Sequence, residues 1–362
     1  MKLCIIGCGA VTHVVSKLID DYDVIYVDKN PKFAKNFVNK KIKKVNALKD
    51  SLSFIKKCDI VMNLASPRLN IKLMKAAMKY KVNYVDAASM LEGKKVEQLQ
   101  FDNDFKRRGL FGLINIGVEP GLSNLLASEI YHKLNGNVET IKTISLEEED
   151  ADVVFNSWSP KVAFDDFTSK PVIYRNGRYI YTKPLSEPER IKFPIYGERT
   201  VYTVSEEDPI TIPKYLNSVE NAETKCGGSK VEEIRTLLKY KLFPKFENEI
   251  IKSFPRSNTP KEITEFIENG LIRNAQFILG VKADEKMIWS VFPNQLEVHK
   301  RIPGAAYISY ATGVSIEAFL RMVEKFEMEK GVYSAENLNQ KQRRFIMRRL
   351  KNKYKIKFRY ER

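Results

Sequence analysis

Residues 1–28 read MKLCIIGCGAVTHVVSKLIDDYDVIYVD, and this stretch decides the fold. Lys2 to Ile6 is a short, mostly apolar run of the kind a buried strand makes. Gly7-Cys8-Gly9 follows at once, and then Val11, Val14, Val15, Leu18 and Ile19 recur at helical spacing. A second apolar run, Val24 to Val27, ends in Asp28. Strand, glycine turn, helix, strand and acid stand in the order that a dinucleotide needs. Gly7 allows the tight turn. Gly9 removes a Cβ, so that the backbone at Ala10 and Val11 can approach a pyrophosphate, and the helix N-terminus turns its partial positive charge on that anion. Asp28 lies 19 residues past Gly9, where a carboxylate grips both ribose hydroxyls and repels a 2′-phosphate. The expected cofactor is therefore NAD rather than NADP. Thr12 stands where the fingerprint has its third glycine. A turn of this type that holds another nucleotide, or none, is the competing reading.

Further along, apolar runs alternate with helical patterns, which predicts a parallel doubly wound sheet. Helices are expected over 32–40, 51–57, 71–80 and 94–107, and strands at 45–47, 58–64, 84–88 and 110–116. Asn46 and Ala47 would end the third strand near the adenine or ribose. Ala65-Ser66-Pro67 forms a small-residue loop at the carboxyl edge of the fourth, where such folds bind ligands, so all three are cofactor candidates with Ala87. Asp86 and Ser66 lie at strand ends. Cofactor contact is favoured there over a plain cap, and Asp86 is also assigned to substrate. The pattern then breaks at Gly117-Val118-Glu119-Pro120-Gly121, a turn directly after the last sheet strand, with a helix from Leu122 to Leu134. That position makes Glu119 the catalytic candidate, facing the nicotinamide end of the site, against the plainer reading of a solvated turn acid.

From Thr140 the period becomes two. Strands are expected over 140–146, 172–181 with an Asn176-Gly177 hairpin, 202–204, 275–281 and 287–292. Glu147 to Asp150 is a run of four acids, read as a solvated loop. Gly304-Ala305-Ala306 leads into a long buried helix. The division expected is 1–118 for the dinucleotide domain, 119–302 for a mixed α/β second domain, 303–335 for a helix returning to the first, and 336–362 for a basic tail.

The 362 residues carry a formal net charge of +16. Eleven Lys or Arg and one acid fall between Lys341 and Arg362, so most of the excess belongs to that tail. There, 341–350 reads as a basic amphipathic helix and 353–360 alternates as a strand with one cationic face. Hydrophobic content of 43% and charged content of 29% are ordinary for a water-soluble chain. No apolar run is long enough for a membrane span, and the N-terminal run is too short for a signal peptide. The four cysteines show neither zinc spacing nor a disulfide framework, and no metal site is expected. A cytoplasmic protein with reduced thiols follows. His13 is read as a helix-surface residue, with cofactor contact as the alternative.

By residue 117 the chain resembles the saccharopine dehydrogenase superfamily, and within it the archaeal-type NAD-dependent lysine dehydrogenases. The residues that carry the likeness are Gly7-Cys8-Gly9-Ala10-Val11-Thr12, similar to the G-S-G-F-V-T turn of saccharopine reductases, and Gly117-Val118-Glu119-Pro120-Gly121-Leu122-Ser123-Asn124. Trp158-Ser159-Pro160, Val172 to Gly177 and Pro184-Leu185-Ser186-Glu187 follow in the same order. The resemblance implies a Rossmann domain with an inserted mixed α/β substrate and dimerisation domain, and a homodimer. It implies hydride transfer between NAD(P) and the amine-bearing carbon of an amino acid, L-lysine or a saccharopine-like substrate. Loss of hydride from a neutral amine gives an imine that water or a second amine attacks. Trp158 would form a pocket wall near the substrate. Two departures stand out. Where the family's second domain opens with a strand followed by G-G-L-P, this chain reads Ser145-Leu146-Glu147-Glu148-Glu149-Asp150, which either recognises a cationic amine or marks a lost substrate site. The family's arginine-bearing segment reads Glu223-Thr224-Lys225-Cys226-Gly227, so Lys225 would hold a substrate carboxylate as a point charge and not as a fork.

A different class stays open: a non-catalytic dinucleotide-binding protein whose Lys341 to Arg362 tail holds nucleic acid or an acidic partner. For the tail itself, packing of Tyr354, Ile356, Phe358 and Tyr360 on the body or a second subunit is the favoured reading.

Overall fold

Lys2–Ile6 and Asp23–Asp28 are neighbouring parallel strands, and Ala10–Leu18 is the helix between them. The computed structural model describes residues 1–361 except 158, 243–248, 250–251 and 254–255. Contacts divide the chain into two units, Met1–Ser128 with Thr312–Tyr354, and Glu129–Ala311 with Lys355–Arg362.

In the first unit, seven described strands make a parallel sheet. Its order is Gly331–Tyr333, Phe111–Leu113, Asn83–Asp86, Ile60–Asn63, Lys2–Ile6, Asp23–Asp28, Ile42–Lys44. Strand order reverses beside Lys2–Ile6, so the Gly7 turn emerges at the switch point where doubly wound sheets bind ligands. Leu3, Cys4 and Ile5 have no exposed surface, as a strand covered on both faces requires. The helix Tyr307–Lys325 supplies Val314, Ile316, Ala318, Phe319 and Met322 to this core. Gly313 lets it approach Ala10–Leu18 closely, because a Cβ there would stand 2.5 Å from Val14 Cγ1.

The second unit is built on a mixed sheet of nine described strands, with Thr140–Ala151 between Asn221–Gly227, parallel, and Ile272–Ala283, antiparallel. Ile144, Leu146, Phe193, Val201, Ile278 and Trp289 form one apolar core on it. The expected hairpin is present, with Asn176 at φ 50° and Gly177 at φ 72° between Val172–Arg175 and Arg178–Tyr181.

Several expectations need correction. The helix at 32–40 shrinks to Pro31–Ala34. The third strand is Ile42–Lys44, ahead of Asn46 and Ala47. The segment 94–107 splits into a short strand, a 3-10 turn and Asp102–Arg107. Glu147 to Asp150 is no solvated loop: it lies within Thr140–Ala151 and pairs with Ile272–Ala283 on one side, the parallel neighbour Asn221–Gly227 ending opposite Leu146. The basic tail packs on the body, with Tyr354 and Ile356 buried as expected. The helix Gln340–Tyr354 is bound to the first unit through Glu317, which is fully buried and takes bonds from Arg349 and Lys353. Lys357–Glu361 then pairs with Lys286–Val291 in the second sheet. Tyr354 and Ile356 are buried, while Tyr360 stays half exposed under the Lys133 ammonium.

Candidate functional site

The glycine turn shows two different reasons for glycine. Gly7 has φ +97°, and a Cβ there would lie 2.6 Å from the Ala65 backbone nitrogen. Its bareness serves the fold, by bringing the first strand against the 65–67 loop. Gly9 has φ −100° and caps the helix Ala10–Leu18 with no side-chain partner. A Cβ on Gly9 would meet no protein atom within 4 Å. Packing does not demand glycine there, and the bare backbone leaves the first helical turn open to an anion. Ala10 and Val11 follow in that turn, both partly exposed. Thr12, in the third-glycine place, is fully buried and donates its hydroxyl to the Gly7 carbonyl at 2.7 Å. The hydroxyl thus pins the helix to the turn in place of bare contact.

Asp28 ends the second strand beside this turn. One carboxylate oxygen accepts the Cys8 N–H at 2.9 Å and the other the Asn30 N–H at 2.8 Å. These bonds fix the carboxylate at the sugar end of a dinucleotide laid on the turn. The Val45 N–H donates to the Asp28 carbonyl, which places Asn46 and Ala47 close by. Asn46 is partly exposed and accepts the Leu48 N–H, whereas Ala47 is buried. The residues present therefore fit a nicotinamide dinucleotide. His13 is buried with Nδ1 bonded to the Phe37 carbonyl at 2.7 Å, so it serves the helix and not a ligand.

At the carboxyl ends of the next strands, a polar network that no sequence motif announces carries the loops. Asn63 accepts the Ala65 N–H and donates to the Ser66 carbonyl, both at 3.0 Å, fixing the 65–67 loop. Ala65 and Ser66 are exposed and Pro67 is partly exposed. Asn70 accepts from Asn63 and Tyr84 and donates to Ala88. Asp86 is fully buried, which overturns the expectation of direct substrate contact. It accepts the Asn115 N–H at 2.8 Å and Gln98 Nε2 at 3.1 Å. Burial raises its pKa to about 6 against the pull of these bonds. Asp86 is thus a positioning residue, shaping the backbone at Asn115, which sits at φ 58°.

The turn 117–121 is tightly folded. Gly121 has φ +129°, and a Cβ on Gly117 would lie 2.9 Å from the Ala87 carbonyl. Asn124 accepts the Gly121 N–H at 2.6 Å and donates to buried Glu336 at 2.7 Å. This anchoring holds the turn that carries half-buried Glu119, with Gly117 against Ala87. Gly7, Gly9, Asp28, Ala65 and the Glu119 turn thus belong to one unit and one sheet edge.

The second-unit candidates fare differently. Trp158 lies outside the described residues. Lys225 is buried, donates to the Glu187 carbonyl at 2.6 Å, and stands 3.6 Å from Glu223. It is held by its own sheet and does not offer a free charge to a substrate carboxylate. Among the described residues no cluster could hold a metal ion, and no helix is long and apolar enough to cross a membrane.

Residues 3–109 match the saccharopine dehydrogenase NADP binding domain. Carboxyaminopropylagmatine dehydrogenase of Synechocystis sp. is 23% identical over 93% of this chain and 93% of that protein. Carboxynorspermidine synthase of Vibrio alginolyticus is 23% identical over 44% of this chain, and the match spans 41% of that protein's length. Among solved structures, saccharopine dehydrogenase (L-Glu forming) from Saccharomyces cerevisiae superposes with TM-score 0.67, at 12% identity and 99% coverage of both chains. Homospermidine synthase from Legionella pneumophila, in complex with NAD, gives 0.66 at 13% identity, with 99% of this chain and 91% of that one covered.

Proposed function

We propose that this chain, which joins a saccharopine dehydrogenase-type dinucleotide domain to the saccharopine dehydrogenase fold, is an NAD-dependent oxidoreductase acting on an amine-bearing carbon. The observation that carries the reading is the Gly9 turn with Asp28 fixed beside it. Bound there, the nicotinamide supplies a two-electron acceptor or donor. The chain's own residues do the rest. Gly9, Ala10 and Val11 present backbone to the pyrophosphate, and Asp28 accepts from the ribose hydroxyls. The loop 65–67 forms the floor, fixed by Asn63. Glu119, on its anchored turn, takes the proton from the reacting amine, because only a neutral amine releases hydride. The carbon left behind is an imine, open to water in one direction and to reduction in the other.

Two relatives are named for carboxyalkylated polyamines, carboxynorspermidine and carboxyaminopropylagmatine. With Lys225 already engaged, these names favour a substrate in which an amino-acid carboxylate and a polyamine share a secondary amine, ahead of L-lysine. The test is NAD+ reduction, read at alkaline pH with purified protein and a panel of L-lysine, saccharopine and carboxyalkyl diamines. A rate confined to the carboxyalkyl diamines supports the substrate assignment. L-lysine as the best substrate overturns it, and no rate with any amine overturns the activity.

A further inference from the structure

The four acids at 147–150 are not equivalent. Glu148 takes bonds from Arg199 Nε and, at 2.9 Å, from the Ser229 N–H. Glu149 takes Lys230 Nζ at 3.1 Å and the Tyr307 hydroxyl at 2.7 Å. Asp150 is bound by Arg273 at 2.8 Å. Glu147 is different: its side chain is 94% buried, being 6% exposed, and its Oε2 has no hydrogen-bond partner among the described residues. Lys230 attracts it, but the Lys230 ammonium is bonded to Glu149 and the Phe155 carbonyl.

More negative charge faces Glu147. Asp166 interacts electrostatically with both Glu147 and Glu207, and the Ser205 N–H bonds its carbonyl. Glu207 is itself 5% exposed. Burial pushes the Glu147 carboxyl up to about 7, and pushes Asp166 well above the carboxylate range, with Glu207 adding to it. Gly228, at φ +112°, lies against the Glu147 carbonyl with no room for a Cβ, which holds this part of the strand in place. An uncompensated buried carboxylate is costly, and folds retain one where a cation completes it.

We propose that Glu147, backed by Asp166 and Glu207, is a subsite for an alkylammonium, the charged end of a diamine or polyamine. The chemistry selects that cation. A divalent metal needs several oxygens converging at bonding distance, and no described group of acids meets that. An ammonium is a compact point donor that completes one carboxylate oxygen and is steadied by its acidic neighbours. The proposal rests on the reading of the chain as an amine dehydrogenase and deepens it, naming the cationic group that its substrate carries.

The experiment is calorimetric titration of the NADH-loaded protein with putrescine and with spermidine. Wild type should bind, and Glu147→Gln should bind about tenfold to a hundredfold more weakly, as loss of one charge-assisted bond predicts. Its NADH affinity should hold and its unfolding temperature should not fall, and Glu147→Asp should recover part of the amine binding. Equal amine affinity in Glu147→Gln overturns the subsite and leaves the dehydrogenase reading standing. Absence of amine binding in NADH-loaded wild type overturns it as well. Absence of NADH binding overturns the dehydrogenase reading and the subsite with it. If Glu147→Gln does not fold, Asp166→Asn is read in the same titration, and unchanged binding there is equally fatal.

Discussion

Alanine at Gly7 and alanine at Gly9 should have opposite consequences. At Gly7, φ is +97° and a Cβ would stand 2.6 Å from the Ala65 nitrogen and 2.7 Å from its Cα. A side chain in left-handed backbone costs about 1–2 kcal/mol. The contact with backbone must be relieved by shifting the 65–67 loop, so the total should reach about 2–4 kcal/mol. At Gly9, φ is −100° and a Cβ meets nothing within 4 Å. Restricting the unfolded chain there favours the folded state by about 0.4–1 kcal/mol. The new methyl nevertheless stands in front of the N–H groups that would face a pyrophosphate. Gly9→Ala should fold as well as wild type and lose at least about tenfold in NADH affinity, or about 1.4 kcal/mol. Urea unfolding followed by circular dichroism measures the first quantity, and nicotinamide fluorescence titration the second. Unaltered NADH binding in Gly9→Ala would refute the placement of the pyrophosphate. Unaltered stability in Gly7→Ala would refute the account of the turn.

Other expectations follow from the same geometry. Asp28→Asn keeps an acceptor for the Cys8 N–H but removes the charge, so NADPH should gain on NADH; a wild type that already prefers NADPH contradicts the role given to Asp28. Glu147, raised from 4.5 to about 7 by burial, with Glu149 opposing Lys230, takes up a proton on folding. Its stabilisation is complete below about pH 4.5 and is lost as pH rises through about 7, a span of about 3 kcal/mol. Glu147→Gln should therefore gain on wild type in unfolding free energy between pH 5 and 8, and a constant difference between the two would count against the burial of an ionisable group there. Asn124→Ala removes two buried bonds that hold the 117–121 turn; it should cost about 2 kcal/mol and lower kcat while sparing NADH affinity, and an unchanged kcat would separate that turn from catalysis.

What the sequence reveals here is what is local. The turn, its helix and Asp28 lie within 28 residues, and apolar periodicity marks each piece. The Asn176-Gly177 hairpin is legible for the same reason, since two positive φ values demand those residue types. The 147–150 strand hides because Glu148, Glu149 and Asp150 are answered by Arg199, Lys230 and Arg273, partners far along the chain that no local pattern reveals. Asp86 is visible as a strand end, but its burial depends on Gln98 and Asn115 closing over it. The strand Gly331–Tyr333 has three residues, too few to show alternation, and it exists because Phe111–Leu113 offers an edge. The cationic alternation after Lys353 does predict a strand, yet the preceding helix runs on to Tyr354 because Glu317 holds Arg349 and Lys353.

The most direct test of the central claim is titration of the purified chain with NADH and, separately, NADPH, followed by fluorescence of the reduced nicotinamide. Saturable binding, tighter for NADH, is the predicted result. Failure of both dinucleotides to bind would contradict it.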